Sequence, residues 1–208
     1  VKCLTEFDGR IFLDYLLEQA QAAGIKHVII LGGPDRDVIK KAVRVLNYSM
    51  DFSFPEEKER LGTGGALPLI APYLGESHFI LSNADTYFLE NPFDLLKSQS
   101  LQGNIAMFYM RNRSAERSFQ EVSSLEGRSW VDLYQTDSYI YTGLAVLSAE
   151  IIQHWNLLGL NAACSFEKDV FGKIKGRAKF IAYPFAEIDF GTEAGFKHLK
   201  EIFKKEAV

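Results

Sequence analysis

Short, wholly apolar runs alternating with helical patterns constrain this chain most. Arg10 to Ala23 carries Phe12, Leu13, Leu16, Leu17 and Ala20 at helical spacing, and Gly24 stops it. His27-Val28-Ile29-Ile30-Leu31 follows as a strand closed by Gly32-Gly33-Pro34. Asp35 is placed to cap a helix running to about Leu46, and Ser49 to Phe54 alternates as a strand. A glycine-rich turn then opens a helix from about Gly65 to Ala71, before a second buried strand, His78 to Ser82. Phe93 to Ser98 reads as a helix and Asn104 to Met110 as a strand. Strand-helix-strand repetition of this kind predicts an α/β fold: a three-layer α/β/α sandwich around a Rossmann-like, mixed but mostly parallel sheet.

The later chain is less regular. Residues 112–138 are polar and read as loops with an irregular hairpin. Tyr139 to Leu147 is a strand broken by Gly143, Ser148 and Ser165 each cap a helix, Lys179 to Tyr183 is a strand, and Thr192 caps the last helix. With 208 residues, 47% of them hydrophobic, and no repeat or linker, the chain is expected to form one domain over 1–208. The net charge is −4 with scattered Lys and Arg, which argues against nucleic acid as a partner. No apolar run approaches the roughly 20 residues of a membrane helix. Val1 leaves a removed leader open. Cys3 and Cys164 lack metal-type spacing and read as buried, reduced thiols, which suits the cytoplasm.

Three segments carry chemistry. In Leu61-Gly62-Thr63-Gly64-Gly65-Ala66, glycines let backbone approach a base or a phosphate closely. In Leu81-Ser82-Asn83-Ala84-Asp85, an aspartate follows an apolar strand, where open sheets hold ligands. Ile188-Asp189-Phe190-Gly191-Thr192 supplies a second aspartate. Two carboxylates, phosphates and waters satisfy the octahedral oxygen preference of Mg²⁺. A nucleotide-phosphate enzyme follows.

These segments resemble the sugar-1-phosphate nucleotidyltransferases, or NDP-sugar pyrophosphorylases, over most of the chain. Lys2 with Gly9-Arg10 resembles the family's Pro-Lys-Pro-Leu … Gly-Lys-Pro segment, and Leu61 to Ala66 its Leu-Gly-Thr-Ala/Gly-Gly-Ala loop. Asn83-Ala84-Asp85 is similar to the Asn-Gly-Asp metal motif, and Tyr141-Thr142-Gly143 to the Asn-Thr/Ala-Gly sugar motif with Tyr for Asn. Ser165-Phe166-Glu167 and Asp189-Phe190-Gly191-Thr192 resemble the late Ser-Phe-Glu and Asp-Ile-Gly-Thr motifs. The glycine loop and Ser-Phe-Glu are most like the mannose-1-phosphate and heptose-1-phosphate guanylyltransferases. The resemblance implies a nucleotide-diphospho-sugar transferase fold. It also implies attack by a sugar-1-phosphate oxygen on the α-phosphorus of a nucleoside triphosphate, releasing pyrophosphate.

Two departures stand out. The family's opening strand and Gly-x-Gly-Thr-Arg loop would precede Val1, and the Glu-Lys-Pro region reads Trp130-Val131-Asp132-Leu133-Tyr134-Gln135 with no Lys. In a doubly wound sheet the first strand is central. Its loss would orphan two rows of backbone groups at roughly 1–3 kcal/mol each when buried. The expectation is therefore a native chain beginning about 20 residues earlier, with His27–Leu31 and His78–Ser82 flanking a slot.

By resemblance, Lys2, Asp85 and Asp189 are catalytic, with Asp85 and Asp189 on the metal. Gly62, Thr63 and Gly64 hold the nucleotide, and Gly143, Glu167 and Tyr141 the sugar. Each has a plainer reading. Lys2 is a solvated terminal lysine, Asp85 and Asp189 cap turns, and Thr63 caps a helix. Gly143 forms a bulge, Glu167 half-completes a capping box with Ser165, and Tyr141 fills the core. The four dispersed histidines read as surface or packing residues. The partners implied are a nucleoside triphosphate and a sugar 1-phosphate, with oligomeric state open, a homo-oligomer included. Two other readings compete: a non-catalytic nucleotidyltransferase-like binding or regulatory domain, and a metal-dependent glycosyltransferase, whose Asp-x-Asp motif Asn83-Ala84-Asp85 does not match.

Overall fold

The computed structural model describes residues 1–75, 78–112, 139–182 and 186–206. The hairpin β1 (Glu6–Phe7) and β2 (Arg10–Ile11) turns on Asp8 and Gly9, both left-handed. It leads into α1 (Phe12–Ala22), then β3 (His27–Ile29), α2 (Arg36–Arg44), β4 (Asp51–Ser53) and a single helical turn α3 (Gly62–Gly65). Next come β5 (His78–Ser82), β6 (Thr86–Phe88), α4 (Pro92–Leu96), β7 (Ala106–Asn112), β8 (Tyr139–Ser148) and α5 (Glu150–Gln153). A π-helical turn Phe166–Val170 runs into α6 (Phe171–Ile174), followed by β9 (Ala178–Ala182), β10 (Glu187–Asp189) and α7 (Glu193–Glu206). Each expected element outside 112–138 is present within a few residues. The exception is the helix after the glycine turn: Leu67–Tyr73 is 3₁₀, with Pro72 inside it. The loops and hairpin expected over 112–138 lie outside the described residues, apart from Asn112 at the end of β7, as does the Trp130–Gln135 segment.

The sheet is mixed, and the expectation of a mostly parallel one is corrected. β3 and β4 pair parallel, as do β7 and β9. β8 lies between β5 and β7 and is antiparallel to both; β6 and β10 are also antiparallel. The reason lies in what an apolar run reports. Ala145 and Leu147 of β8 face one core cluster while Leu144 and Val146 face another, so both faces are buried. A run without alternation signals that two-sided burial, whichever way the neighbours run.

β7 and β8 form the centre. Ala106, Phe108 and Met110 join Phe166, Val170, Phe171 and Ile174 on one side; Met107 and Tyr109 join Phe88 and Leu96 on the other. α1 serves two clusters, with Leu13, Leu17 and Ala20 against Ile39, Val43 and Phe93, and Phe12, Tyr15 and Leu16 against Phe7, Tyr87, Phe190 and Phe203. β3 and β5 do not pair with each other: β3 bonds to β4, and β5 to β8. Their side chains still feed shared clusters. Ile29, Leu31, Phe79 and Leu81 pack on one, and Val28, Ile30 and Ile80 on the other, all of them partly buried. The two flanking strands of the sequence reading thus stand without a direct ladder between them. Among the described residues no helix is long and apolar enough to cross a membrane.

Candidate active site

The β6–β10 ladder builds the acidic centre. Asp189 pairs with Thr86, and the Phe190 amide donates to the Asp85 carbonyl at 3.2 Å, so the two aspartates become neighbours although 104 residues separate them. Asp85 lies just beyond β5 and Asp189 ends β10. The Lys2 ammonium donates to Asp85 Oδ2 at 3.0 Å. A Cβ placed on Gly191 would lie 2.8 Å from Asp189 Oδ1 and 2.9 Å from Lys2 Nζ, so those atoms flank one point. The Asp85 carboxylate, by hydrogen bond and charge, raises the Lys2 pKa above its ordinary value despite some desolvation, and Asp189 adds to this. Lys2 is therefore a partner of both aspartates rather than a free terminal lysine. Its side chain is 63% exposed and that of Asp85 30%, so the cluster is open to a ligand. Asp189 Oδ1 also accepts the Gly191 amide at 2.7 Å, which fixes the carboxylate, while the Thr192 hydroxyl accepts the Gly195 amide and caps α7. Two carboxylates of different strands beside one cation suit a divalent ion completed by phosphate and water. No group of three or more His, Cys, Asp or Glu positioned as metal ligands occurs among the described residues.

The second wall comes from β8 and the π-helical turn. Gly143 has φ 83° and sits in an irregularity of β8, where Phe108 faces Ala145 but Met110 faces Tyr141. The bulge reading of Gly143 is therefore correct as to backbone form. Its carbonyl accepts the Asn83 amide at 2.9 Å, and a Cβ there would lie 2.7 Å from Asn83 Nδ2. This contact ties the Asn83-Ala84-Asp85 segment to Tyr141-Thr142-Gly143. The sequence names Asn83 only as the first residue of its motif and gives it no role; this contact sets it against the Gly143 strand. The Tyr141 ring packs edge-on to Phe108 and Phe171, with Phe166 nearby, so it does fill the core. Yet its hydroxyl is buried with no hydrogen-bond partner among the described residues. Burial, and then the charge of Glu167, push its pKa well up.

Glu167 is not a capping residue. The cap of the π-helical turn is closed by Ser165, whose hydroxyl accepts the Lys168 amide at 3.3 Å, and by Asp169, which accepts the Ser165 amide at 2.7 Å. Glu167 is left exposed to solvent, with its pKa raised by partial desolvation; Lys168 opposes the shift and Asp85 adds to it.

The glycine turn lies directly on this segment. Cys164 O accepts the amides of Gly64 and Gly65 at 2.9 and 3.2 Å, Cys164 N donates to Leu61 O at 2.9 Å, and Phe166 N donates to Thr63 Oγ1 at 3.0 Å. A Cβ on Gly64 would lie 3.0 Å from Cys164 Sγ, Ser165 C and Phe166 N, and one on Gly65 only 2.0 Å from Ala162 O. The space that Gly64 leaves free is thus filled by the protein itself. A bulky residue there would displace the 164–166 segment. Thr63 does not cap its own helix either; its side chain reaches across to Phe166. Both cysteines are free and buried.

Near the mouth, the Arg111 guanidinium pairs with Glu187, two residues before Asp189. Burial raises the Glu187 pKa, with Arg111 opposing. This pair carries no sequence signal, since its members meet only through packing.

No family model matches the chain. It is 24% identical over 204 residues to the D-glycero-alpha-D-manno-heptose 1-phosphate guanylyltransferase of Campylobacter jejuni, covering 95% of this chain and 88% of that protein. The structure of HddC from Yersinia pseudotuberculosis complexed with GMP-PN superposes with a TM-score of 0.76 at 23% identity, covering 97% of this chain and 89% of that one. UDP-glucose pyrophosphorylase complexed with UDP-glucose gives a TM-score of 0.72 at 16% identity, over 99% and 90%. The structural matches show the nucleotide-diphospho-sugar transferase fold. In sequence and in fold the chain is similar to sugar-1-phosphate nucleotidyltransferases.

Proposed function

We propose that this chain transfers a nucleoside monophosphate from a nucleoside triphosphate to a sugar 1-phosphate. A phosphate oxygen of the sugar 1-phosphate attacks the α-phosphorus, the bond to the bridging β-oxygen breaks, and pyrophosphate leaves. Such a displacement needs alignment and neutralisation of charge more than covalent help. The observation that carries the reading is the convergence of Lys2, Asp85 and Asp189 on one open point. Lys2 neutralises phosphate charge. Asp85 and Asp189 would hold Mg²⁺, which when bound screens the phosphate oxygens around the α-phosphorus. Gly62, Thr63 and Gly64 form the nucleotide turn, with exposed Gly62 and Thr63 outermost. Gly143, Glu167 and Tyr141 form the sugar wall, where the unpartnered Tyr141 hydroxyl and the Glu167 carboxylate offer a donor and an acceptor to sugar hydroxyls. The guanylyltransferase match makes guanosine triphosphate the first nucleotide to test. A single three-layer α/β/α domain, a cytoplasmic setting and a homo-oligomer accompany this reading.

The test is pyrophosphate release across four nucleoside triphosphates and a panel of sugar 1-phosphates, with Mg²⁺ added or chelated. Metal-dependent release with one pairing is the expected result. Nucleotide binding by calorimetry with no turnover for any pairing would favour the non-catalytic reading instead.

A further inference from the structure

Thr63 stands on the nucleotide turn, yet its hydroxyl is engaged away from that turn. Four hydrogen bonds join the turn to the 164–166 segment, and three are backbone to backbone: Gly64 N and Gly65 N to Cys164 O, and Cys164 N to Leu61 O. The fourth, Phe166 N to Thr63 Oγ1 at 3.0 Å, is the one that a side chain of the turn supplies. Phe166 opens the π-helical turn and its amide is one of the helix-start donors that lack an internal partner. Ser165 and Asp169 satisfy the Lys168 and Ser165 amides from within the segment. Thr63 satisfies Phe166 from outside it. Phe166 is also anchored through its ring, buried against Phe108 and Phe171. Glu167, the next residue, has neither anchor. Its exposed carboxylate makes no hydrogen bond or ion pair among the described residues, so its direction follows from where the Phe166 amide is held. A π-helical turn is a rare form that recurs at functional sites, and here it carries Glu167 close enough for its charge to act on Tyr141 and to feel Asp85.

We infer that Thr63 is a positioning residue for Glu167, so that the nucleotide turn sets the geometry of the sugar wall through the Thr63–Phe166 hydrogen bond. The inference rests on the sugar-acceptor reading of Glu167 given above. It assigns Thr63 a part in sugar-phosphate recognition in addition to its place on the nucleotide turn. Thr63 is exposed, so its replacement leaves the core intact.

The experiment compares Thr63→Val, Thr63→Ser, Glu167→Gln and the Thr63→Val/Glu167→Gln double variant. Guanosine triphosphate and D-glycero-α-D-manno-heptose 1-phosphate are varied separately, and thermal unfolding checks the fold. Dissociation constants for the same two ligands, measured by calorimetry, give the same split without requiring turnover. Thr63→Val should weaken the sugar phosphate by about tenfold, the scale of one lost hydrogen bond, and by clearly more than it weakens the nucleotide. Thr63→Ser keeps the acceptor and should behave as the parent chain. The double variant should be no worse than Glu167→Gln alone, because both changes remove one interaction. The inference is overturned if Thr63→Val weakens the nucleotide instead, if serine fails to rescue, or if the two changes add. A Glu167→Gln variant with normal sugar-phosphate affinity would instead sink the sugar-acceptor reading on which it stands.

Discussion

Asp85 is tied to Lys2 and Asp189 to the Gly191 amide, and each tie outlasts loss of the carboxylate charge. Asparagine keeps an oxygen for Lys2 at 85 and for the Gly191 amide at 189. Asp85→Asn and Asp189→Asn should therefore fold normally, with unfolding midpoints close to the parent. Turnover should fall by about 10²–10³-fold, the usual cost of removing one element that stabilises transition-state charge. Steady-state rates alongside circular dichroism decide this, and normal turnover in either folded variant would end the two-aspartate mechanism. Glu167 makes an opposite kind of statement about stability. Burial raises its pKa in the folded chain above the ordinary carboxylate value. The unfolded chain thus ionises first, and stability falls as the pH rises from that ordinary value through the folded one. Glu167→Gln should raise the melting temperature at neutral pH, and the gain should vanish at acid pH where the parent residue is protonated in both states. Such a gain, paired with weaker sugar-phosphate binding, is the trade expected of a residue kept for function. Melting curves from about pH 4 to 8 measure it, the window following from the ordinary carboxylate value.

At the level of elements, the glycine turn and the π-helical turn behave as one unit. A Cβ on Gly65 would lie 2.0 Å from the Ala162 carbonyl, which belongs to the chain that the turn grips. Gly65→Ala should cost about 1–3 kcal/mol, the range for inserting a methyl group into filled space, and lower the urea midpoint without changing the slope. Gly172 in α6 has open space around its missing side chain, so Gly172→Ala is the control and should be neutral or mildly stabilising. Motif matching identifies the Gly62–Ala66 loop but does not reveal that all three of its glycines are also demanded by Ala162 and Cys164 to Phe166, about a hundred residues away. The capping box shows the same gap. Sequence spacing makes Glu167 half of it, whereas Asp169, two residues further on, closes it and releases Glu167.

Over the whole molecule, order should be greatest where β7 and β8 are paired on both edges and buried on both faces, and least where β3 and β5 each present an edge and lie partly exposed. Hydrogen exchange should rank the amides of Met107, Leu144 and Val146 slowest and those of β3 and β5 distinctly faster. Equal protection in β3, β5 and β8 would contradict this. The sequence by itself determined where helices and strands fall, because apolar period and capping residues act over a few positions. Thr192 at α7, Ser165 at the π-helical turn and the strand at His78–Ser82 were all legible that way. It also located Lys2, Asp85 and Asp189, since those residues stand in recognisable motifs. Only the tertiary structure decided that β8 runs antiparallel between β5 and β7, that Asp189 lies across a ladder from Asp85, and that Thr63 reaches Phe166. Hydrophobic period reports which faces are buried, not which strand lies alongside or in which direction. Hydrogen bonds between residues a hundred positions apart leave no local pattern to read.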